Sequence, residues 1–381
     1  MVQDRKICID IPYAEVERRR ALLAQAEQLK RPPRPPARAT FTSRFWLDAM
    51  RVDYARYRAD LEYMVDCQAR ARKWILENIY DDSLPREFAC DRHSFYVAPL
   101  TFGCALAYDD YMPWIASHPV AVPADLERLR RLDVNHNPAA DEEQQQLAEI
   151  ERIASRYTFV YADGIETVGC ARMAPTLFST APFSLATDLM GSEIYLRVKE
   201  DPPFVHELLD ILVQKYIDRR EFVIARYGGA REELHLVDDS CSILSPETYL
   251  EFQAPRIQAL HERYPGRLGI HIDGQSNHLI PIYAEVLKIT RLFGFGPMVD
   301  KRLLAERLGG KCSLLGNIDP VLLQSGSPEQ ICRNCREILE IFEPYGGFTL
   351  LDGNNIAPGT PLENLAIMRR TAEELTAVGR R

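Results

Sequence analysis

The chain has 381 residues, of which 46% are hydrophobic and 27% are charged, and its formal net charge is −9 at pH 7. This composition is typical of a folded globular protein, and the negative charge argues against nucleic acid or an anionic membrane surface as a partner. The sequence contains no run of about 18 apolar residues, and its N-terminal residues lack the apolar core of a signal peptide. We therefore predict a cytoplasmic protein.

Residues 1–90 predict a helical N-terminal extension. Residues 13–30 combine good helix formers with apolar residues at helical spacing, and residues 44–79 are also mostly helix-forming. Between them, RPPRPPA at residues 31–37 ends the first helix, because proline has no backbone N–H and biases the residue before it towards extended geometry. We interpret this stretch as a stiff proline-rich linker.

Residues 91–381 alternate strand and helix signals, which favours a parallel sheet built from βαβ units. Asp141 is the cap predicted for the helix that precedes a strand at 157–164. Asp201 with two following prolines predicts the start of a long helix, and Gly228 predicts its end. The predicted helices are residues 123–132, 141–157, 181–191, 201–228, 245–264, 299–310 and 327–343.

Apolar runs that end in polar, ligand-type residues recur in the C-terminal half. They are ELHLVDDS (233–240), RLGIHIDG (267–274), KCSLLGNIDP (311–320) and GFTLLDGNN (347–355). In a closed (β/α)₈ barrel the active site lies where the strands end, so we expect these polar side chains to converge on one cup. The residues expected there are Asp238, Asp239, His271, Asp273, Asn317, Asp319, Asp352, Asn354 and Asn355. This arrangement indicates an enzyme.

His271 and Asp273 carry the strongest chemical signal. Their i, i+2 spacing on a strand points both side chains to the same face, where they could bind a metal ion together or act as an acid/base pair. The alternative is a polar pair that closes the barrel layer. Asp238 and Asp239 are adjacent and face opposite ways on a strand, so only one of them can enter the cup while the other caps or forms a salt bridge.

Four further residues are candidates for contact with a substrate. Asn317 and the Asn354–Asn355 pair lie at predicted strand ends, although turn chemistry would account for them equally well. Asp188 follows APFSLAT in a predicted helix and either faces the same cavity or lies in solvent. With Asp238, these residues form the predicted substrate-binding set.

Five segments together resemble the uroporphyrinogen decarboxylase superfamily. They are APFSLATDLMGSE (181–193), DDSCSILSPETYLEF (238–252), HIDGQSNHL (271–279), LLGNIDPVLLQSGSPEQI (314–331) and NNIAPGTPLENLAIM (354–368). The resemblance covers roughly residues 90–375 and implies a distorted (β/α)₈ TIM barrel, often dimeric, at residues 91–381. It also implies either a porphyrinogen decarboxylase or a methyltransferase that exchanges methyl groups between a corrinoid and a thiol such as coenzyme M.

The departures from the family pattern favour the methyltransferase branch. The RQAGR-type segment of the decarboxylases is absent, and the positions of their expected tyrosine and histidine hold Asp188 and Asn354. Of the H-x-C zinc site of the methyltransferases, His271 keeps the histidine, whereas Asp273 and Asn354 replace the two cysteines. Oxygen ligands make a harder site than thiolates, so the resemblance leaves open zinc, another divalent metal or no metal.

The predicted function is therefore a corrinoid-linked methyltransferase or demethylase component acting on a small molecule, with His271, Asp273 and Asp239 as catalytic residues. A cobalamin-binding DxHxxG motif is absent, so methylcobalamin would be free or carried by a separate protein. The first alternative is a lyase, decarboxylase or hydrolase that uses a divalent metal at His271 and Asp273 without a corrinoid. The second is a non-catalytic binding protein.

Overall fold

The computed structural model describes residues 5–82, 88–90, 96–109, 112–169, 173–229 and 232–378. Within those ranges, no helix combines the length and the apolar character needed to cross a membrane. The chain divides into two compact units, each made of several segments. Unit 1 is Met1–Cys90, Ala148–Met173 and Leu292–Arg381, and unit 2 is Asp91–Leu147 and Ala174–Arg291. The predicted domain boundary at residues 90/91 adjoins residues 91–95, which lie outside the described residues.

Strands and helices alternate along most of the chain. The strands are β1 (Arg5–Ile9), β2 (Leu106–Asp109), β3 (Met112–Ile115), β4 (Tyr157–Tyr161), β5 (Glu166–Val168), β6 (Glu233–Val237), β7 (Arg267–His271), β8 (Arg291–Phe293), β9 (Ser313–Ile318) and β10 (Phe348–Asp352). The α-helices are α1 (Tyr13–Glu27), α2 (Ser43–Ala49), α3 (Tyr54–Ala59), α4 (Leu61–Asn78), α5 (Val97–Thr101), α6 (Pro123–Arg131), α7 (Pro138–Ala154), α8 (Pro182–Met190), α9 (Glu193–Glu200), α10 (Pro202–Tyr227), α11 (Pro246–Thr248), α12 (Ala254–Arg263), α13 (Lys301–Leu308), α14 (Pro320–Ser325), α15 (Pro328–Phe342) and α16 (Leu362–Val378).

Unit 1 contains two sets of paired strands. In the first, β4 pairs in parallel with β1 and antiparallel with β5. In the second, β9 and β10 pair in parallel, with Asn317 opposite Leu351. Every residue of β9 and β10 is buried, as expected for parallel strands covered on both faces. This pair therefore lies in the core of unit 1.

Unit 2 contains an antiparallel hairpin and a parallel pair. The hairpin joins β2 to β3, and the parallel pair is β6 with β7, in which Val237 is opposite His271. Leu234 and Leu236 are buried on one face of β6, so His235 and Val237 point to the other face. The four apolar runs with polar ends that the sequence predicts as strands are β6, β7, β9 and β10.

Helix boundaries follow local capping. The Asp201 carboxylate accepts the Phe204 N–H at 3.3 Å, and α10 ends at Gly228, whose φ of 80° lies in the left-handed region that favours glycine. The Asp141 prediction is wrong, because α7 begins at Pro138 and the Asn137 Oδ1 atom caps it, accepting the N–H groups of the first turn at 3.1 and 3.2 Å. The asparagine lies one turn earlier than the predicted cap.

The predicted helical extension at residues 1–90 contains α1 to α4, but it also contains a strand. Residues Arg5–Ile9 form β1, which adds an edge to β4. The proline-rich linker then runs as an extended segment beside β10, where Ala37 lies in parallel register with Leu350. Backbone bonding to a partner from far along the sequence decides the conformation of both stretches.

Candidate functional site

The ends of β6 and β7 bring an imidazole and two carboxylates together within unit 2. The His271 Nε2 atom lies 2.9 Å from Asp273 Oδ1 and 3.7 Å from Asp239 Oδ1. The Asp273 backbone N–H also donates to Asp239 Oδ1 at 2.9 Å, which fixes the two acidic residues relative to each other. Three of the residues predicted to be catalytic therefore form one cluster, Asp239–His271–Asp273.

The cluster is open to solvent on the acidic side. The side chains of Asp239 and Asp273 are 40% and 31% exposed, and that of His271 is 15% exposed. Burial raises the pKa of Asp239 above its usual value, and the neighbouring His271 charge opposes this rise. The site thus holds negative charge next to an imidazole and remains accessible to a ligand.

The donor set fits a divalent cation. One ligand atom from each of Asp239, His271 and Asp273 lies within 4.8 Å of the other two. One imidazole nitrogen with two carboxylate oxygens suits zinc, manganese or iron, and three protein ligands leave a coordination position open for substrate, as in catalytic sites. The set contains carboxylate oxygens and no thiolate, which makes it a hard site.

Asp238 stands behind the cluster rather than in it. Its carboxylate is fully buried and accepts hydrogen bonds from Tyr249 Oη at 2.7 Å and Gln253 Nε2 at 2.6 Å. Burial raises the pKa of Asp238 to about 7, although these bonds oppose the shift. Its backbone N–H donates to the His271 carbonyl at 2.8 Å and so ties together the ends of β6 and β7. These contacts give Asp238 a supporting position, and its contact with a substrate stays a prediction.

Asp188 lies in the same unit, near the end of α8. Burial raises the pKa of Asp188 to about 7, and the charge of His118 opposes the rise. The helix is joined to the turn that carries Asp239, because the Ser240 N–H donates to Ser184 Oγ at 3.3 Å. A carboxyl group that titrates near neutrality is suited to proton transfer.

His235 is a neighbour of the cluster that the sequence argument missed. It points from β6 to the same face as Val237, and a Cβ added at Gly269, its partner in register, would lie 2.9 Å from the His235 Nδ1 atom. Burial, together with the charges of Arg291 and His271, lowers the pKa of His235 to about 4, so the ring is neutral at pH 7. Its alternation with Leu234 and Leu236 is the signal that could have identified it.

The remaining predicted substrate contacts lie in unit 1. Asn317 is 1% exposed, and its Nδ2 group donates to the Gly296 carbonyl at 3.0 Å. Asn354 is half-buried and accepts the N–H of the exposed Asn355 at 2.6 Å, which is local turn bonding. Asp319, also expected at the cup, is the N-cap of α14 and accepts the Val321 N–H at 2.8 Å.

Residues 93–375 match the family model described as uroporphyrinogen decarboxylase (URO-D). A methylated-thiol–coenzyme M methyltransferase of Methanosarcina mazei is 32% identical over 205 residues, covering 51% of this chain and 52% of that protein. A uroporphyrinogen decarboxylase of Pseudoalteromonas translucida is 27% identical over 218 residues, covering 52% and 58%. The chain thus spans about half the length of these curated relatives, and its identity to the methyltransferase is the higher of the two.

A solved structure described as a methyltransferase from Methanosarcina mazei has the same fold. The TM-score is 0.65 at 19% sequence identity, and the match covers 94% of this chain and 98% of that one. A likeness at this identity concerns the fold alone. Together with the family match, it confirms the predicted fold class, the (β/α)₈ TIM barrel.

Proposed function

From the premise that this chain belongs to the uroporphyrinogen decarboxylase family, a family of enzymes, we propose that it catalyses methyl transfer on a small-molecule substrate. The methyl carrier would be a corrinoid such as methylcobalamin, either free or bound to a separate carrier protein. The single observation that carries this proposal is the Asp239–His271–Asp273 cluster at the ends of β6 and β7. The relative with the higher identity, a methyltransferase named for a thiol and coenzyme M, supports transfer rather than decarboxylation.

In this proposal the cluster holds a divalent cation through His271 Nε2 and the carboxylates of Asp239 and Asp273. Such a cation, when bound, acts as a Lewis acid that favours the deprotonated form of a coordinated thiol or hydroxyl group. The Asp273 N–H keeps the Asp239 carboxylate in place, and the Asp238 network fixes the turn that carries it. Without a metal, the same His271–Asp273 pair would accept the proton that the methyl acceptor loses.

Asp188 and three asparagines complete the proposal. Because its pKa is about 7, Asp188 can either donate or accept a proton at neutral pH, and we assign it contact with the substrate. Contact of Asn317, Asn354 and Asn355 with the substrate stays a prediction. We also propose a cytoplasmic homodimer in which residues 1–90 extend the barrel formed by residues 91–381.

The test is a methyl-transfer assay on the full chain with methylcobalamin as the donor. The acceptors tested are small thiols such as coenzyme M, small amines and phenols. Turnover would be followed by corrinoid absorbance. We expect His271→Ala to lower the rate by about 10²–10⁴-fold, the usual contribution of a positioned acid/base group, without loss of fold. His136→Ala is the matched control, because the His136 side chain is 57% exposed and lies outside the cluster. Unchanged turnover in His271→Ala would contradict the site, and no transfer by the wild type to any acceptor would contradict the reaction.

The oxygen-rich donor set favours a second candidate, a lyase, decarboxylase or hydrolase that uses the same cation without a corrinoid. Asp273 and Asn354 stand where the resemblance places the two cysteines of a zinc site, and oxygen ligands suit harder metals such as manganese. Elemental analysis of the purified chain, combined with the methylcobalamin assay, separates the candidates. Bound manganese or iron without methyl transfer would favour the second, and zinc with methyl transfer would favour the first.

A further inference from the structure

An extended segment follows the proline-rich linker and pairs with the core of unit 1. The Leu350 N–H donates to the Pro36 carbonyl at 2.8 Å, and the Arg38 N–H donates to the Leu350 carbonyl at 2.8 Å. Ala37 is thereby in parallel register with Leu350. On the other side of β10, Leu351 is in register with Asn317 of β9. Residues in parallel register point to the same face and successive residues alternate, so Arg38, Leu351 and Asn317 share one face.

Arg38 is a half-buried cation on this face. Its Nε atom is buried without a hydrogen-bond partner, and among the described residues its guanidinium forms no ion pair or hydrogen bond. Arg34, four residues earlier, shows the usual arrangement, with two hydrogen bonds of 2.7 and 2.8 Å to the Asp82 carboxylate. Removing a charge from water is costly unless an opposite charge compensates for it. An anionic ligand would supply that compensation.

Asn317 presents a fixed acceptor on the same face. Its Nδ2 group is used by the Gly296 carbonyl, which orients the amide and leaves Oδ1 facing away from that bond. Oδ1 is buried and finds no donor among the residues described by the structure, although the side chain is only 1% exposed. A buried acceptor without a partner is destabilising, so a ligand that donates an O–H or N–H there would remove the penalty.

We infer that Arg38 and Asn317 bind a small organic acid that also carries a hydroxyl or amino group. The guanidinium binds the oxyanion, and Asn317 Oδ1 accepts a hydrogen bond from the donor group of the same molecule. The Arg38 segment and β9 lie on either side of β10, so the backbones of the two residues are about 10 Å apart. The long arginine side chain spans part of this distance, which limits the ligand to a few heavy atoms. This inference depends on the proposed function in one respect, which is that the bound ligand is taken to be the substrate of the proposed reaction.

The experiment measures binding of three probes to the full chain by saturation-transfer NMR. Glycolate has both the oxyanion and the hydroxyl donor, acetate has only the oxyanion, and glycolamide has only the donor. We expect affinity to fall in the order glycolate, acetate, glycolamide. Arg38→Met keeps the length of the side chain without its charge and should weaken glycolate by about tenfold or more, the usual size of a charge-assisted hydrogen bond. Arg44→Met is the matched control, because Arg44 is exposed.

Asn317→Leu tests the acceptor, since leucine has a similar size but no Oδ1 atom. It should abolish the preference for glycolate over acetate while leaving acetate bound, and circular dichroism would verify the fold. Unchanged glycolate affinity in Arg38→Met, or glycolamide binding as tight as glycolate, would overturn the inference. Because no methyl transfer is measured, Arg38-dependent binding without turnover removes only the proposed function, whereas turnover without such binding removes only this inference.

Discussion

The strand ends of unit 2 and those of unit 1 have similar local sequences but opposite chemistry. In unit 2, Asp239 and Asp273 are partly exposed and lie beside the His271 imidazole. In unit 1, Asn317 and Asp352 are 1% and 0% exposed. Among the described residues, Asn317 Oδ1 and Asp352 Oδ1 are buried without a hydrogen-bond partner, as is Asp273 Oδ1 in unit 2, which lies 2.9 Å from His271 Nε2. The first arrangement has a donor set that fits a divalent cation. The second, with Arg38 on the Asn317 face, suits the proposed ligand, which brings an anion and a hydrogen-bond donor.

Burial decides the difference. Asp352 accepts the Thr40 N–H at 2.6 Å, but burial outweighs that bond and raises the pKa of Asp352 to about 8, so the group is mostly neutral at pH 7. The acids of unit 2 are partly exposed and lie beside an imidazole. An apolar run followed by an acidic residue therefore marks the end of a strand, whereas solvent and neighbouring groups set the charge there.

The largest effect that would test this comparison concerns metal affinity. Asp273→Ala removes one of the three ligand atoms of the cluster, so its dissociation constant for Zn²⁺ or Mn²⁺ should rise by more than the roughly 10–100-fold that loss of an outer-shell partner costs. Isothermal titration calorimetry measures it, with Asp48→Ala, an exposed acid of unit 1, as control. Wild-type affinity in the Asp273 variant would show that unit 2 has no cation site at this cluster.

The second prediction concerns the pH dependence of stability through Asp352. The folded pKa of about 8 lies above the ordinary 3.8, so the stability that the protonated carboxyl contributes is present below pH 3.8 and is lost as the pH rises through 8. The side chain of the Asp352→Asn variant cannot ionise. Between those pH values the difference in unfolding free energy, variant minus wild type, should therefore increase by roughly 1 kcal/mol per pH unit. Urea unfolding at several pH values measures this gain. Parallel curves for the two proteins would mean that Asp352 is charged in the folded state.

The smallest effect separates helix capping from ligand binding at the end of β9. Asp319 accepts the Val321 N–H as the N-cap of α14, so Asp319→Ala should lower the unfolding free energy by about 1 kcal/mol. The glycolate affinity of the Asp319→Ala variant should equal that of the wild type, because Asp319 caps the helix whereas Asn317 is the residue proposed to contact the ligand. Thermal unfolding and the NMR titration provide the two measurements. A loss of glycolate binding in the Asp319→Ala variant would show that Asp319 also contributes to ligand binding.

Much of the fold could be predicted because its signals are local. Alternating or continuous apolar runs predicted β6, β7, β9 and β10, and Asp201 with its prolines predicted α10. Five of the described strands, β1, β2, β3, β5 and β8, were not predicted, and two of them show why. The five residues of β1 lie next to a strong helix signal, and the three residues of β8 are too few for a periodic pattern. Both are strands because distant backbone groups pair with them.

The candidate site could be predicted only in part. The i, i+2 spacing predicted that His271 and Asp273 meet, and the structure brings them within 2.9 Å. No sequence pattern distinguishes Asp238, which is enclosed by Tyr249 and Gln253, from the partly exposed Asp239 beside it. Arg38 also escaped notice, since an arginine after a proline-rich linker resembles any other surface arginine until its partners are known.

The sequence by itself determined the family, the fold class and the strands β6, β7, β9 and β10, because each depends on residue patterns that are local in the chain. Only the tertiary structure decided which acids are exposed, which carboxyl groups hold a proton near neutrality and which polar atoms lack a partner. Those properties depend on burial and on groups tens to hundreds of residues away, as with Arg38 and Asn317 on either side of Leu351. The charge of a site is therefore a property of packing, even where its residues are visible in the sequence.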